Sequence, residues 1–221
     1  MKHLVMTGVT LVLALCLAGA ASAAVITPAS YSYVPGNGPN DPSSLDSACT
    51  KLTNGIYGPF TEAQAQLGGD FETDTVRVIG WTEGATGHLI ADFNLGGTCT
   101  VDSVTLHYVT YSPYWGYAPD SVTVSFSSDG LTYSGEQTLA GGWAANDQWW
   151  GGDNSGTVTL TGSPTANYVR VDIAIQSEPN GNSSLFLNEI QLDGTPIPEP
   201  VTMSLLALGG LAALIRRRRA S

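Results

Sequence analysis

The sequence predicts an all-β fold, and three features of its middle part support this prediction. Short apolar runs alternate with polar residues at a period of two, β-branched residues are frequent in them, and Gly, Asn and Asp separate them. Long helical patterns are few. Antiparallel sheets with one wet face produce this alternation, and strands spaced in this way favour a β-sandwich.

In each run, the apolar residues share one face of the predicted strand. The runs are HLIADFNL, VDSVTLHYVT, DSVTVSFSSDG, SGTVTLTG and ANYVRVDIAI, and SLFLNEIQL closes the set. The residues expected in the core are Leu89, Ala91, Phe93, Leu95, Val104, Leu106, Tyr108, Val122, Val124, Phe126, Val158, Leu160, Val169, Val171, Ile173 and Ile175. His88 and His107 fall on the opposite faces, so we expect exposed strand histidines rather than general bases.

Residues 1–23 have the pattern of a secretory signal peptide. Lys2 precedes an apolar run from about Leu11 to Leu17, and Ala21-Ser22-Ala23 supplies the small-x-small pattern that signal peptidase cleaves after. The alternative is an N-terminal membrane anchor, for which the apolar run is short. We therefore expect export, with cleavage after Ala23.

Residues 195–221 combine a Pro-Glu-Pro motif, an uncharged run over residues 201–215 and an arginine cluster. As a helix the uncharged run would span roughly 22 Å, short of the ~30 Å hydrocarbon core, and Gly209 and Gly210 weaken it further. The arginines would hold its end in the cytoplasm. They are Arg216, Arg217, Arg218 and Arg219. A weak hold on the inner membrane indicates a processing signal.

This order of motif, apolar helix and arginine cluster resembles the PEP-CTERM sorting signal of Gram-negative bacteria, with Pro198, Glu199 and Pro200 as its motif. The resemblance implies that a membrane transpeptidase of the exosortase type removes the tail. It also implies delivery to the cell surface or its exopolysaccharide matrix. The alternative for this segment is a permanent C-terminal anchor.

Removal of both signals leaves an acidic body of a length that suits one domain. Lys51, Arg77 and Arg170 are the remaining cations, and of nineteen acids only Glu199 leaves. Three cations against eighteen acids give this body a net charge of −15. Such a charge repels nucleic acid and anionic polymers. It is compatible with divalent cations, and it also keeps a protein soluble outside the cell.

The mature chain keeps two cysteines, Cys49 and Cys99, because Cys16 lies in the signal peptide. Two cysteines in an exported protein usually pair. No metal-ligand spacing accompanies them, so the sequence predicts a disulfide that closes a loop of about 50 residues. Residues 24–50 around the first cysteine are rich in Pro, Gly, Asn and Ser, which predicts an extended lead-in with a loop.

The segments after this lead-in resemble, in order, the discoidin or coagulation factor 5/8 C-type domain. KLTNG is similar to that family's opening turn, and IADFNLGGTCTVDSVTLHY and YAPDSVTVSFSSDGLTY are similar to its next two landmarks. NYVRVDI and FLNEIQLDG are similar to its closing strands. The resemblance covers residues 51–194 and implies a jelly-roll β-sandwich of the galactose-binding-like type. Animal members join their two ends with a disulfide, whereas Cys99 falls in mid-domain.

Binding is favoured over catalysis by the residues that the sequence offers. There is no Gly-x-Ser-x-Gly elbow and no His-Glu-x-x-His motif, so we expect no enzyme. Two loop-like stretches carry aromatic residues, Tyr114 with Trp115 and Trp149 with Trp150. Flat rings cover the apolar faces of a pyranose while short polar side chains bind its hydroxyls, so these four residues predict carbohydrate contact. The alternative is a packing role, as for Trp143.

Carbohydrate-binding relatives of the resembled family hold a structural calcium ion between the opening turn and the acid of the last strand. By position, the resemblance implies Asn54 and Glu189 as ligands, with backbone carbonyls near Leu52 and Ile56. Oxygen ligands suit calcium, although the family's usual Asp is the neutral Asn54 here. The alternatives are an ordinary turn residue at Asn54 and an exposed strand acid at Glu189.

Two functions of different classes follow from the sequence. The first is an exported surface or matrix module that binds carbohydrate or exopolysaccharide, with calcium. The second is a structural surface protein whose domain makes protein–protein contacts.

We expect the tail to be absent from protein released from the cell surface. The motif, the short apolar helix and the arginine cluster together predict a new C-terminus near residues 198–200. Mass spectrometry of the surface-released chain measures it. Intact arginines at residues 216–219 in that pool would contradict the processing signal and favour the permanent anchor.

Overall fold

The computed structural model describes residues 23–39, 46, 48–55, 79–82, 87–110, 118–143, 152–175 and 184–198. Within these ranges the chain forms nine β-strands and one short 3₁₀-helix. Every pairing between those strands is antiparallel. The predicted all-β fold is therefore confirmed.

The strands vary widely in length, from three residues at the N-terminal end to 23 in the middle of the chain. They are β1 (Ala24–Ile26), β2 (Ser30–Tyr33), β3 (Ile79–Thr82), β4 (His88–Thr110), β5 (Pro119–Ser127), β6 (Ser134–Ala140), β7 (Gly152–Thr159), β8 (Thr165–Ile175) and β9 (Ser184–Pro196). The 3₁₀-helix Lys51–Thr53 lies between β2 and β3 in the chain.

Strand β4 belongs to both layers of the sandwich. Its first part pairs with β2 and β8, and its second part pairs with β7 and β9. Beyond β8 the first layer continues through β5 to β6. In the second layer, β1 and β3 both pair with β9. One layer is therefore β2-β4-β8-β5-β6, and the other is β7-β4-β9 with β1 and β3 at its side.

The sequence predicted two strands where the structure has the single strand β4. The register against β8 shifts between Asn94 and Cys99, and Gly96 between them has a φ of 75°. A glycine reaches this left-handed region at little cost, and a bulge bends the strand that carries it. The chain thus passes from one layer to the other without leaving the hydrogen-bonded ladder.

The buried apolar residues of the described strands form one core between the layers. All sixteen residues expected there from the alternation are buried, with Phe126 the most exposed at 7%, and all belong to one cluster. Each such Val, Leu, Ile or Phe stabilises the folded state by about 1.5–3 kcal/mol relative to its exposed form. The predicted inward faces of the strands are therefore confirmed.

The segment predicted as an extended lead-in also contributes to the sheet. Strand β1 pairs with β9 and strand β2 pairs with β4. Ile26 and Tyr31 from these strands are each 5% exposed and belong to the core. The polar composition of residues 24–50 concealed this contribution, because Ile26 and Tyr31 are separated by polar residues, Ala and Pro in the sequence.

The predicted disulfide does not form, since Cys49 and Cys99 are both free thiols. The Cys49 thiol contacts the backbone of Tyr33, which is paired with Ala91 of β4. On β8, Ala91 is opposite Val171 and Cys99 is opposite Ala166. These partners are five residues apart, which is roughly 16 Å along a strand. A disulfide needs Cα atoms within about 7 Å, so the strand register keeps the two thiols apart.

In the part of the chain that the structure describes, no helix is long and apolar enough to cross a membrane. Of the predicted signal peptide, residues 1–23, the structure describes only Ala23. The predicted apolar helix and arginine cluster lie beyond residue 198, outside the described residues.

Candidate functional site

The turn after the 3₁₀-helix meets the last strand, and this contact brings together the two residues proposed as metal ligands. Asn54 caps the C-terminus of the helix. The backbone N–H of Gly55, the next residue, donates to Oε2 of Glu189 at 3.1 Å, across 134 positions of sequence. The backbone of Asn54 also hydrogen-bonds the same carboxylate. The opening turn and β9 are therefore in direct contact.

Asp46 holds the N-terminal side of this turn. Its Oδ1 accepts hydrogen bonds from the backbone N–H groups of Thr50 at 3.1 Å and Lys51 at 3.3 Å. These N–H groups at the start of the helix have no partner within it. Although Asp46 is only 5% exposed, its carboxylate is thus used to fix the start of the helix.

Two tyrosines of β2 complete this support. The hydroxyls of Tyr31 and Tyr33 both donate to Oδ2 of Asp46, the latter at 3.0 Å. The Tyr31 oxygen in turn accepts the backbone N–H of Leu52 at 3.0 Å. Burial and the hydrogen bond to Asp46 raise the pKa of Tyr31, so its hydroxyl stays protonated and keeps donating. The first layer therefore positions the turn that the second layer contacts.

A bulge in β9 determines where Glu189 lies. Glu189 is opposite His107 of β4, and Leu187 is opposite the next residue, Tyr108. Asn188, between them, is therefore the extra residue of the bulge. Bulges redirect side chains in this way. Asn188 is 1% and Glu189 6% exposed, so the alternative of an exposed strand acid at Glu189 does not hold.

Burial also changes the acidity of Glu189. Desolvation raises its pKa from 4.5 to about 7, and the hydrogen bonds from the backbone of Gly55 and Asn54 act in the opposite direction. A carboxyl group of this kind changes its charge near neutral pH. A bound cation would favour the ionised form and lower the pKa.

His107, expected to be exposed, is buried at 9% exposure. It lies in the middle of the second layer, opposite Ser155 of β7 on one side and Glu189 of β9 on the other. The alternation along a strand gives the face on which a residue lies, but it does not show what covers that face. His88 differs, because its side chain is 45% exposed and contacts Asp172 at 2.6 Å on the outer face of the first layer.

The oxygen atoms around the turn are of a type that suits a hard cation. The described residues contain no group of three or more His, Cys, Asp and Glu side chains that could hold a metal. A metal at Glu189 would therefore depend on the Asn54 amide and backbone carbonyls for its other ligands, which favours calcium over zinc. A Cβ built on Gly55 meets nothing within 4 Å, so there is open space beside the turn.

The four aromatic residues proposed for carbohydrate contact, Tyr114, Trp115, Trp149 and Trp150, lie outside the described residues. The described strand ends next to them are paired, because Thr110 is opposite Gly152. Tyr114 and Trp115 follow Thr110 by four and five positions, and Trp149 and Trp150 precede Gly152 by three and two.

Trp143 packs on the second layer, so its side chain has the packing role considered as the alternative to sugar contact. Its ring meets Tyr108 edge-on, with 6.1 Å between ring centroids. A Cβ at Gly156 would lie 2.3 Å from the same indole, so Gly156 leaves the space that Trp143 occupies. Close by, the Asn154 amide donates to the Thr110 hydroxyl at 2.8 Å. Sequence reasoning did not identify these contacts, nor those of Asp46 and Tyr31.

Comparison with known proteins finds similar chain traces among solved structures. No family model and no curated protein matches the sequence. The C-terminal domain of a chitobiase from Bacteroides fragilis is 12% identical, with 79% of this chain and 100% of that chain covered at a TM-score of 0.48. The family 32 CBM of Clostridium perfringens NanJ, in complex with galactose, is 16% identical, with 77% and 98% covered at 0.44. A Streptococcus pneumoniae fucose binding module is 9% identical, with 76% and 96% covered at 0.45.

We expect Glu189 to make stability depend on pH when a chelator removes metal ions. Because its pKa is raised from 4.5 to about 7 in the folded state, its contribution is complete below pH 4.5 and is lost as pH rises through 7. Glu189→Gln stays neutral, so its free energy of unfolding should rise relative to wild type across that window. Urea denaturation at a series of pH values measures the difference.

The matched control is Glu136→Gln, at an exposed position of β6. Its free energy of unfolding should follow that of wild type across the same pH series. A constant difference between wild type and Glu189→Gln at all pH values would show that Glu189 has an ordinary pKa.

Proposed function

We propose that the protein is an exported, non-catalytic module that binds carbohydrate at the cell surface or in the exopolysaccharide matrix. The observation that supports it best is the pairing of Thr110 with Gly152. In the sequence, Tyr114 and Trp115 follow Thr110 closely, and Trp149 and Trp150 precede Gly152 closely. Two aromatic groups joined by Gly, Asn, Asp and Gln residues supply the stacking surfaces and hydrogen bonds that a sugar needs.

The contacts of Arg170 within the domain are consistent with an uncharged ligand. Arg170 donates two hydrogen bonds to Asp92, at 2.7 and 2.8 Å. The Arg170 guanidinium also lies 4.0 Å from the centre of the Tyr133 ring. This cation is therefore engaged within the domain, and the acidic body around it disfavours nucleic acid and other polyanions.

The alternative function, a structural surface protein that makes protein contacts, is favoured by strand β6. It ends the first layer, and six of its seven residues are exposed while Gln137 is half-buried. An edge strand can pair with another chain. The two functions differ in whether the isolated domain binds glycans.

We further propose that a calcium ion binds between Asn54 and Glu189. The contact of their turn with β9, the open space at Gly55 and the oxygen-only ligands support it. The proposal also includes export with cleavage by signal peptidase, transient insertion in the inner membrane and tail removal by an exosortase-type transpeptidase. They rest on the patterns at the two ends of the sequence.

We expect aromatic substitutions to weaken sugar binding without unfolding the domain. Trp149→Ala, Trp150→Ala, Tyr114→Ala or Trp115→Ala should weaken binding by about tenfold or more, since stacked aromatic residues dominate such contacts. A glycan array with the body alone identifies the sugar, and titration calorimetry measures each variant.

The control is Leu131→Ala, which removes a large apolar side chain that is 86% exposed in the turn between β5 and β6. It should bind as wild type does. An array without any bound glycan would favour the structural protein, and unchanged affinity in all four aromatic variants would place the sugar elsewhere.

We expect calcium to stabilise the body and Glu189→Gln to remove most of that gain. Binding only the folded state at 100 times its dissociation constant adds roughly 2.7 kcal/mol. Thermal melting with calcium and with chelator measures it. An equal calcium response in Glu189→Gln would place the ion elsewhere among the acids, and no response in wild type would mean that no such site exists.

A further inference from the structure

The two ends of the domain form adjacent strands. Ala24, the residue after the predicted signal-peptidase site, is opposite Gly194 of β9, and Ile26 is opposite Leu192. Because the pairing is antiparallel, the chain before Ala24 and the chain after Gly194 leave this pair in the same direction. Both predicted processing sites are therefore close to the same end of the paired strands β1 and β9.

The C-terminal strand stays in the sheet almost up to the sorting motif. Thr195 and Pro196 are opposite Thr100 and Cys99 of β4. The N–H of Ile197 still donates to the carbonyl of Thr98 at 2.8 Å. Pro198, the first residue of the motif, comes directly after this last hydrogen bond. We call residues 194–197 the junction, and no spacer separates it from the motif.

Strand β1 packs against the start of the junction. Ile26 is 5% exposed, whereas its neighbour Val25 is 61% exposed. A Cβ built on Gly194 would lie 2.0 Å from the carbonyl oxygen of Thr100 and 2.9 Å from Cδ1 of Ile26. Only glycine allows β4 and Ile26 to approach from both sides, so the junction is held between β1 and β4.

We propose that removal of the tail requires the junction to detach from β4, so that the sheet itself limits the rate of sorting. This inference rests on the proposed sorting function. Tail removal breaks one peptide bond near the motif. The acyl carbon passes to a nucleophile of the transpeptidase and then to an acceptor amine, hydroxyl or water, and the tail leaves with a new amino group.

The physical reason is competition for the same backbone. An enzyme that cleaves a peptide bond binds extended residues on both sides of it, with main-chain hydrogen bonds like those of an added strand. In the folded domain the residues before the motif already use their main-chain groups in pairing with β4. Local opening must release them first, at a free energy below that of global unfolding.

The first test lengthens the junction in the full-length precursor. A Gly/Ser insert of about six residues between Ile197 and Pro198 supplies extended chain without any opening. We expect the tail to be lost about tenfold faster than from wild type. Pulse–chase labelling in a Gram-negative host that processes this motif measures the rate, with mass spectrometry of the C-terminus. The control insert, of the same length, lies between Gly141 and Gly142, both exposed in the turn after β6.

The second test loosens β1. Ile26→Val removes one buried methylene, which costs about 0.5–1.5 kcal/mol and should speed tail removal by roughly two- to tenfold. In the chain that also carries the junction insert, the same substitution should have no effect on the rate. Val25→Ala, at the exposed neighbour, should change neither rate. Hydrogen exchange at the Ile197 amide should quicken in Ile26→Val and stay unchanged in Val25→Ala.

The outcomes separate this inference from the proposed function. If the tail is removed at one rate from wild type and all variants, sorting stands and control by the junction is overturned. If the tail is never removed, both are overturned. If the rate of hydrogen exchange at the Ile197 amide is the same in Ile26→Val as in wild type, strand β1 does not hold the junction.

Discussion

The passage of β4 from one layer to the other is the constraint on which the rest of the sandwich depends. One strand supplies the pairing edges for β2 and β8 in the first layer and for β7 and β9 in the second. The bulge before Cys99, with Gly96 at a φ of 75°, permits the transition. The separation between Ala91 and Cys99 along the strands keeps Cys49 and Cys99 too far apart to form a disulfide, so hydrogen-bonded pairing and core packing take over the role expected of a covalent link.

A chain of polar contacts connects the layers at the candidate metal site. Tyr31 of the first layer supports Asp46, Asp46 fixes the start of the 3₁₀-helix, and the turn after that helix contacts Glu189 of the second layer. Burial makes these groups sensitive to loss of a partner, because a buried polar group without one is costly. The same burial gives Glu189 a pKa near neutrality, so a proton and a cation would compete for one carboxylate.

The two ends of the domain lie in the same layer as that site. Strand β1 lies on one side of β9 and β4 on the other, and the junction ends directly at the predicted motif. In an exported protein processed at both ends, the completed sheet would slow the release of the tail until the junction detaches from β4.

The sequence by itself determined which face of each strand is buried, because alternation is a local property and the pleat turns it directly into orientation. The resemblance of its segments also predicted that the turn at Asn54 lies near Glu189, and the hydrogen bond from Gly55 to Glu189 shows that turn and strand are in contact. Only the tertiary structure decided that two predicted strands are one, that β1 and β2 join the sheet, and that His107 is covered. Those outcomes depend on pairings between distant residues. Because the entropic cost of closing a loop grows only slowly with its length, sequence separation does not reveal which residues meet.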